Sequence, residues 1–144
     1  KRSVDSIHRE LGLIMWDFVG MARSAEGLRT ALKKILDVKK TFWTEVFIPG
    51  SRNDLNVELE KALRLADFLE IGELMARDAL NREESCGGHF REEYQTPEGE
   101  ALRHDDKFSY VSCWKYQGEG QEPKLLKEKL EYEFVARQTR NYKA

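Results

Sequence analysis

Apolar residues in the first half of the chain recur at intervals of three and four, the spacing of one face of an α-helix. Three such segments follow one another, separated by short polar stretches, and they predict three helices. The apolar stripes are Ile7, Leu11, Ile14, Met15, Phe18 and Ala22; then Leu28, Ala31, Leu32, Ile35, Val38, Phe42 and Val46; then Leu55, Leu59, Ala62, Ala66, Leu69, Ala76 and Leu80, reinforced by Leu63, Met75 and Ala79.

Capping and breaking residues mark where these helices begin and end. Ser3 or Asp5 could cap the first helix, and Ser24 the second. Pro49 and the glycine after it form a strong stop signal. Three helices with short connections pack most simply as an antiparallel bundle. The pattern therefore predicts a mainly α fold, with a three-helix bundle over residues 1–82 and the stripes as its core.

The second half, residues 83–144, has a different pattern. It is polar and aperiodic up to residue 106, with a turn signal at residues 96–99. Aromatic residues then alternate with other residues over 108–116, and apolar residues alternate with glutamates over 130–134, so each stretch predicts a strand. We expect an extended segment, a small antiparallel β-hairpin and a basic tail, packed on the bundle or on a neighbouring domain.

Composition narrows the class of protein. The 144 residues include 24 Lys plus Arg and 26 Asp plus Glu, a formal net charge of −2, so no basic excess indicates a nucleic-acid partner. No apolar run reaches the roughly 20 residues that cross a bilayer, which predicts a soluble domain. Two cysteines are too few for a disulfide framework and favour a reducing compartment. Because the chain starts without methionine, we expect a cut inside a longer polypeptide.

The cysteines and histidines allow two kinds of reactive site, and neither is favoured. Cys86 and His89 could form a nucleophile and its base, but no third group orients them. Zinc could use the same pair with His104 and Cys113, although zinc sites usually present two close pairs of ligands. The sequence therefore predicts no catalytic and no metal site in this chain.

Other clusters have simpler interpretations. The acidic run after His104 is expected to be a solvated loop. The two glycines at 87 and 88 belong to no phosphate-binding motif, so no nucleotide site is expected. The arginines at 82, 91 and 103 are equally compatible with surface ion pairs and with a docking surface for another domain.

Residues 82–93 carry a family resemblance. They read REESCGGHFREE, and they resemble the R-x-E-S-R-G-x-H-x-R-x-D segment of the flavoprotein subunits of succinate dehydrogenase and fumarate reductase. Residues 11–17, 54–56 and 58–80 resemble the helical C-terminal domain of those subunits, and residues 140–142 resemble their basic, aromatic tail. The resemblance covers essentially the whole chain.

The resemblance implies both a function and a place in a larger enzyme. The whole subunit would oxidise succinate to fumarate, or catalyse the reverse, with covalently bound FAD. Electrons would pass to an iron–sulfur subunit and then to quinone at a membrane anchor. None of the family's flavin-binding or substrate-binding residues maps onto residues 1–144, so FAD would be bound upstream and this chain would be inactive alone.

The chain would therefore have a structural role on the cytoplasmic side of the bacterial inner membrane, held there through its partners. It would pack against the flavin-binding domain of the same polypeptide, and it would contact the iron–sulfur subunit. The expected residues at that docking surface are Arg82, Ser85, Cys86, His89 and Arg91.

The chain departs from the family pattern at two positions, and two alternatives remain. Cys86 stands where the family usually has arginine, and Gly88 where alanine is common. The version with Ser-Cys-Gly-Gly-His resembles the branch of bacterial succinate:quinone oxidoreductases that have a cytochrome b anchor. A free-standing helical interaction module would show the same apolar stripes. L-Aspartate oxidase shares the core motif, but its C-terminal region is shorter than the aromatic hairpin requires.

Overall fold

The computed structural model describes residues 1–141, so Tyr142 of the expected tail lies outside the described part. The chain divides into two compact units, one ending at Asn81 and one beginning at Arg82. The first contains three long helices, and the second contains a short helix and a two-stranded sheet. The predicted fold class, a helical bundle followed by an antiparallel hairpin, is confirmed.

The first unit is built from helices α1 (Val4–Val19), α2 (Ala25–Glu45) and α3 (Val57–Asn81). Serine and asparagine side chains cap their starts, as short polar side chains do when they accept a free backbone N–H. Ser3 Oγ accepts from Ser6 N at 3.2 Å, and Ser24 Oγ accepts from Gly27 N at 3.1 Å. Asn56 Oδ1 does the same for α3.

The three helices pack against one another around a single apolar core. Asp5 of α1 pairs with Lys61 near the start of α3, and an added Cβ at Gly72 would lie 3.3 Å from Met15 Sδ, so α1 and α3 run in the same direction. Arg23, just before α2, feels the charge of Asp78 near the end of α3, so α2 runs antiparallel to α3. The core contains Val4, Ile7, Leu11, Ile14, Val19, Leu28, Ala31, Ile35, Val38, Phe42, Ala62, Leu65, Leu69, Ala76 and Ala79.

The stripe predicted for α3 is partly wrong. Leu55 precedes the helix and is 98% exposed, and Leu63 and Met75 are also exposed. Leu65 and Gly72 are buried instead, and Gly72 is needed because α1 approaches closely there. A helix with apolar residues on more than one side does not reveal from sequence which side meets its neighbours.

A small pair of strands was not predicted. Strand β1 (Arg2–Ser3) pairs in parallel with β2 (Val46–Phe47), which directly follows α2. Val46 therefore leaves the helix that its spacing predicted for it. Two-residue strands carry no periodic signal, so only the packed structure reveals them.

The second unit contains helix α4 (Asp105–Phe108) and strands β3 (Tyr110–Lys115) and β4 (Lys124–Lys129). The acidic run after His104, expected to be a loop, starts this one-turn helix. Alternation in β3 is as predicted, because Tyr110 is buried and its neighbour Val111 is exposed.

The second strand of the hairpin lies six residues earlier than predicted. Strands β3 and β4 pair antiparallel from Tyr110 with Lys129 to Lys115 with Lys124, while residues 130–134 lie outside the sheet. Register in a hairpin is counted outward from the turn, so a six-residue strand takes the first six residues after the loop as its partners. The alternation at residues 130–134 indicated strand character without indicating pairing.

The turn at residues 96–99 is confirmed. Gly99 N donates to the Thr96 carbonyl at 2.8 Å, and Gly99 has a φ of 81°. No helix within residues 1–141 combines the length and the apolar composition needed to span a membrane.

Candidate functional site

The segment after α3 forms a tight two-residue turn at residues 86–89. Cys86 N donates to the His89 carbonyl at 2.8 Å, and His89 N donates to the Cys86 carbonyl at 3.0 Å. Gly87 has a φ of 57°, which disfavours any residue with a Cβ, whereas Gly88 is not in that region. An added Cβ at either glycine would meet nothing within 4 Å, so the turn projects into open space.

A buried serine closes the base of this turn. Ser85 is fully buried, and its Oγ accepts from Arg91 N at 2.8 Å while donating to the Arg91 carbonyl at 3.1 Å. One hydroxyl therefore satisfies both backbone groups of Arg91. Since unpaired buried backbone groups are costly, this serine fixes the spacing of the two ends of the turn.

Arg82 fixes the same segment to the beginning of β3. Its Nη1 donates to the Phe108 carbonyl at 2.9 Å, and its Nη2 donates to the Tyr110 carbonyl at 3.0 Å and to Ser112 Oγ at 3.3 Å. The guanidinium also lies 4.9 Å from the centre of the Tyr110 ring. Arginine suits this position because its planar fork has several donors in fixed directions.

Arg91 turns inward. Only 2% of the residue is exposed, and its Nε donates to Glu93 Oε2 at 3.1 Å. Its guanidinium lies 5.3 Å from the centre of the Tyr94 ring, and Nη1 reaches the Arg82 carbonyl at 3.4 Å. The charge of Arg91 is therefore used inside the second unit.

Two histidines bind backbone carbonyls. His89 Nε2 donates to the Arg82 carbonyl at 2.8 Å, and His104 Nδ1 donates to the Glu83 carbonyl at 2.7 Å. A carbonyl only accepts, so each of these nitrogens carries the proton. Both rings are held in fixed orientations next to the turn.

Glu84 is a buried acid that sequence reasoning did not single out. It is 3% exposed, accepts from His104 N at 2.8 Å and pairs with Arg82 at 3.3 Å. Its position between an arginine and the turn serine was the one available signal, because a buried carboxylate needs a cation and an N–H donor close by.

The structure brings four of the five predicted docking residues together in one hydrogen-bonded network and places the fifth at its edge. Arg82, Ser85, His89 and Arg91 are joined as described, whereas the Cys86 side chain is exposed at the turn. We call residues 86–89 the glycine turn and the residues that hold it the support network. The support network consists of Arg82, Glu84, Ser85, His89 and Arg91.

The electrostatics of the glycine turn work against a thiolate. Partial burial and the charge of Glu84 raise the pKa of the Cys86 thiol, so it is protonated at neutral pH. His89 points to the Arg82 carbonyl, which leaves it badly placed to act as a base for this sulfur. The arrangement does not favour nucleophilic chemistry.

The four candidate zinc ligands are not assembled into a site. Within residues 1–141, no three His, Cys, Asp or Glu side chains are grouped so that they could hold a metal ion. Cys113 lies on β3 with its side chain exposed, and His104 makes the carbonyl contact described above.

Relatives of known sequence share this domain. A fumarate reductase flavoprotein subunit from Serratia sp. is 31% identical over 114 residues, which cover 79% of this chain and 18% of that protein. An L-aspartate oxidase from Yersinia pestis is 32% identical over 85 residues, covering 59% of this chain and 15% of that protein. The chain spans less than a fifth of the length of the curated relatives it matches.

Solved structures show the same fold. A mutant E. coli quinol fumarate reductase superimposes with a TM-score of 0.81 at 23% identity, covering 96% of this chain and 23% of that one. The Mycobacterium smegmatis Sdh1 complex in its apo form superimposes with a TM-score of 0.76 at 24% identity, covering 91% and 21%. At these identities the likeness concerns the fold.

A sequence profile described as the fumarate reductase flavoprotein C-terminus matches residues 8–142, which include the three helices, the support network and the hairpin. The resemblance carried by residues 82–93 is therefore confirmed. This chain belongs to the family of C-terminal domains of fumarate reductase flavoproteins.

Proposed function

We propose that this chain is the C-terminal domain of the flavoprotein subunit of a succinate dehydrogenase or fumarate reductase. The whole subunit would interconvert succinate and fumarate with FAD and transfer electrons to an iron–sulfur subunit and a membrane anchor at the cytoplasmic side of a bacterial inner membrane. The observation that carries this proposal is the family match over residues 8–142. The domain itself would be structural.

The extent of the alignments supports succinate or fumarate as substrate over L-aspartate. The fumarate reductase relatives from Serratia sp. and Proteus vulgaris align over 114 residues, whereas the L-aspartate oxidases align over 85 to 88. A longer shared region is what a common C-terminal extension would produce.

Exposed apolar side chains on the first unit support a docking role over a free-standing module. Trp16 of α1 is 82% exposed, and Ile71 and Met75 of α3 are about half exposed. The His8 ring lies 5.5 Å from the Phe68 ring and links the two helices on this side. An apolar surface of this kind is typical of a surface that another domain covers. We call these residues, with Leu13, the α1–α3 face.

The glycine turn is the second proposed contact with the rest of the subunit. The support network holds it rigidly, and it projects from the domain without touching other side chains at its tip. Arg82, Ser85, His89 and Arg91 would therefore act by positioning the turn, and Cys86 would meet the neighbouring domain directly. Rigid turns lose little conformational entropy on docking.

The described residues do not fit a flavin. A dinucleotide site needs a glycine-rich turn between a strand and a helix. Strand β1 runs directly into α1 without a glycine, and Gly87 and Gly88 lie in a two-residue β-turn. We therefore assign FAD to a part of the polypeptide outside this chain.

The test uses the polypeptide that carries this chain, isolated from membranes of its source with an antibody raised against residues 1–141. We expect a flavin-fluorescent band on a denaturing gel at several times 16.8 kDa, the mass of this chain. The isolated protein should oxidise succinate with a dye as electron acceptor and should not oxidise L-aspartate.

Each alternative gives a different result. A band near 16.8 kDa without flavin fluorescence would establish a free-standing module. A fluorescent band whose protein oxidises L-aspartate and not succinate would assign the chain to an aspartate oxidase. Either result would overturn the proposal.

A further inference from the structure

A cleft of about 450 Å³ in the second unit has a basic lining. It is formed by α4, by the paired ends of β3 and β4, and by the segment after β4. Four basic and two acidic side chains line it, in a chain whose formal net charge is −2. The basic side chains are Lys107, Lys127, Lys129 and Arg137.

The two acids reduce this positive charge only in part. Asp105 is held by Arg103 outside the cleft lining, with Nε to Oδ1 at 3.0 Å and Nη2 to Oδ2 at 2.8 Å. Among the described residues, neither Lys107 nor Lys127 pairs with a carboxylate. Positive charge in the cleft is therefore available to an anionic partner.

The cations are also held in place. The Lys127 ammonium lies 4.6 Å from the centre of the Tyr110 ring, which is buried. Arg137 donates to Ser109 Oγ, and Arg103 Nη1 donates to the Gln138 carbonyl at 2.7 Å, so the segment after β4 is tied back to the hairpin. Positioned cations lose less side-chain entropy on binding than free ones.

The adjoining strand edge identifies the kind of partner. The sheet has two strands, and Arg82 already binds two carbonyls at the start of β3. Within residues 1–141, no hydrogen bond from outside the hairpin reaches β4. An unpaired strand edge offers alternating N–H and C=O groups that an extended polypeptide can match and a phosphate or lipid surface cannot.

Lysines on an edge strand often serve only to prevent aggregation. That role needs charge along the edge, but it does not need cations from a helix and a following segment to line the same cleft as Lys127 and Lys129. We propose that this cleft and the β4 edge bind an extended acidic segment of a protein partner. Its carboxylates lie in the cleft while its backbone pairs with β4.

The proposal concerns a second partner surface and holds whichever substrate the flavoprotein uses. The probe is a fluorescent octapeptide that alternates glutamate with threonine, and the control peptide alternates glutamine with threonine. Binding to the full-length polypeptide is measured by fluorescence anisotropy at low and at moderate salt. Hydrogen exchange of the β4 amides is followed in parallel.

We expect the acidic peptide to bind, the neutral peptide not to bind, and affinity to fall with salt. The triple variant Lys107→Gln/Lys127→Gln/Arg137→Gln should bind about ten-fold more weakly or less, given three lost ion pairs. The control variant Arg29→Gln/Lys33→Gln/Lys40→Gln removes three exposed charges from α2 and should bind normally. Exchange at residues 124–129 should slow on binding.

Several outcomes would overturn the proposal. These are no binding of the acidic peptide, equal binding to both triple variants, and unchanged exchange at β4. Competition by inorganic phosphate at matched ionic strength that equals the peptide would instead indicate a small-anion site. Preference for vesicles of anionic lipid would indicate a membrane surface. If removal of Arg137 loosens the hairpin, the double variant Lys107→Gln/Lys127→Gln repeats the test with that tie intact.

Discussion

At the scale of single residues, the support network works through a few groups with no substitute nearby. Ser85 satisfies both backbone groups of Arg91, and Gly87 adopts a backbone conformation that side chains disfavour. Residue types at these positions were visible in the sequence. Their roles were not, because an internal hydrogen bond and an exposed docking contact use the same residue types.

Gly87→Ala and Gly88→Ala form a matched pair. Alanine at 87 must adopt a φ near 57°, which costs about 1–2 kcal/mol, whereas Gly88 lies outside that region and has open space around it. Urea denaturation should show a clear loss of unfolding free energy for the first variant and little loss for the second. Equal effects would contradict the turn geometry.

Ser85→Ala leaves the buried Arg91 N–H without its acceptor. We expect a loss of about 1–3 kcal/mol in unfolding free energy, with faster hydrogen exchange at Arg91. Thr44→Ala is the control, because that hydroxyl donates to the Lys40 carbonyl on an exposed helix face. The same loss in the control would show that the burial of Ser85 is unimportant.

At the scale of elements, helices α2 and α3 are linked by an ion-pair network on the flank of the bundle. Lys39 Nζ lies 2.7 Å from Glu73 and 2.8 Å from Glu70, and Glu73 also pairs with Arg77 at 3.1 Å. Burial of Glu73 opposes its charge, but hydrogen bonds from Lys39 and Arg77 outweigh this and hold its pKa below the ordinary value.

This network predicts how stability depends on pH. A carboxyl whose folded-state pKa is lowered contributes stability that is present above its unfolded pKa, about 4.3, and lost as the pH falls through the folded pKa. Unfolding free energy measured from pH 6 to pH 2 should therefore fall, and Glu73→Gln should flatten this dependence. Glu45→Gln, at the end of α2, should leave the slope unchanged.

The hairpin register predicts different roles for two adjacent leucines. Leu125 lies opposite Trp114 and is half-buried, whereas Leu126 lies opposite Cys113 and is more exposed. Leu125→Ala should therefore cost about 1 kcal/mol more unfolding free energy than Leu126→Ala, since cross-strand aromatic pairs stabilise sheets. The reverse order would mean that the strands pair in another register.

At the scale of the whole molecule, the family match places this domain in a polypeptide several times longer. Apolar residues that remain exposed here are then expected to be covered there. This differs from the support network, whose contacts are complete within the second unit.

The proposed cover on the α1–α3 face can be tested in the full-length polypeptide. Trp16→Arg places a charge on that face and should lower the melting temperature by several degrees, because the residue would be desolvated against its neighbour. Asp37→Arg, on an exposed position of α2, should change it little. Equal melting temperatures would show that the α1–α3 face stays in solvent.

The sequence by itself determined the three helices, two of their caps, the strand character of residues 110–115 and the family. These depend on local spacing or on a contiguous motif, and both can be read directly along the chain. The tertiary structure alone decided which residues pair. It moved the second strand to Lys124–Lys129, buried Gly72 in place of Leu63, and turned Arg91 inward. Burial and pairing depend on neighbours distant in sequence, and no local pattern specifies those neighbours.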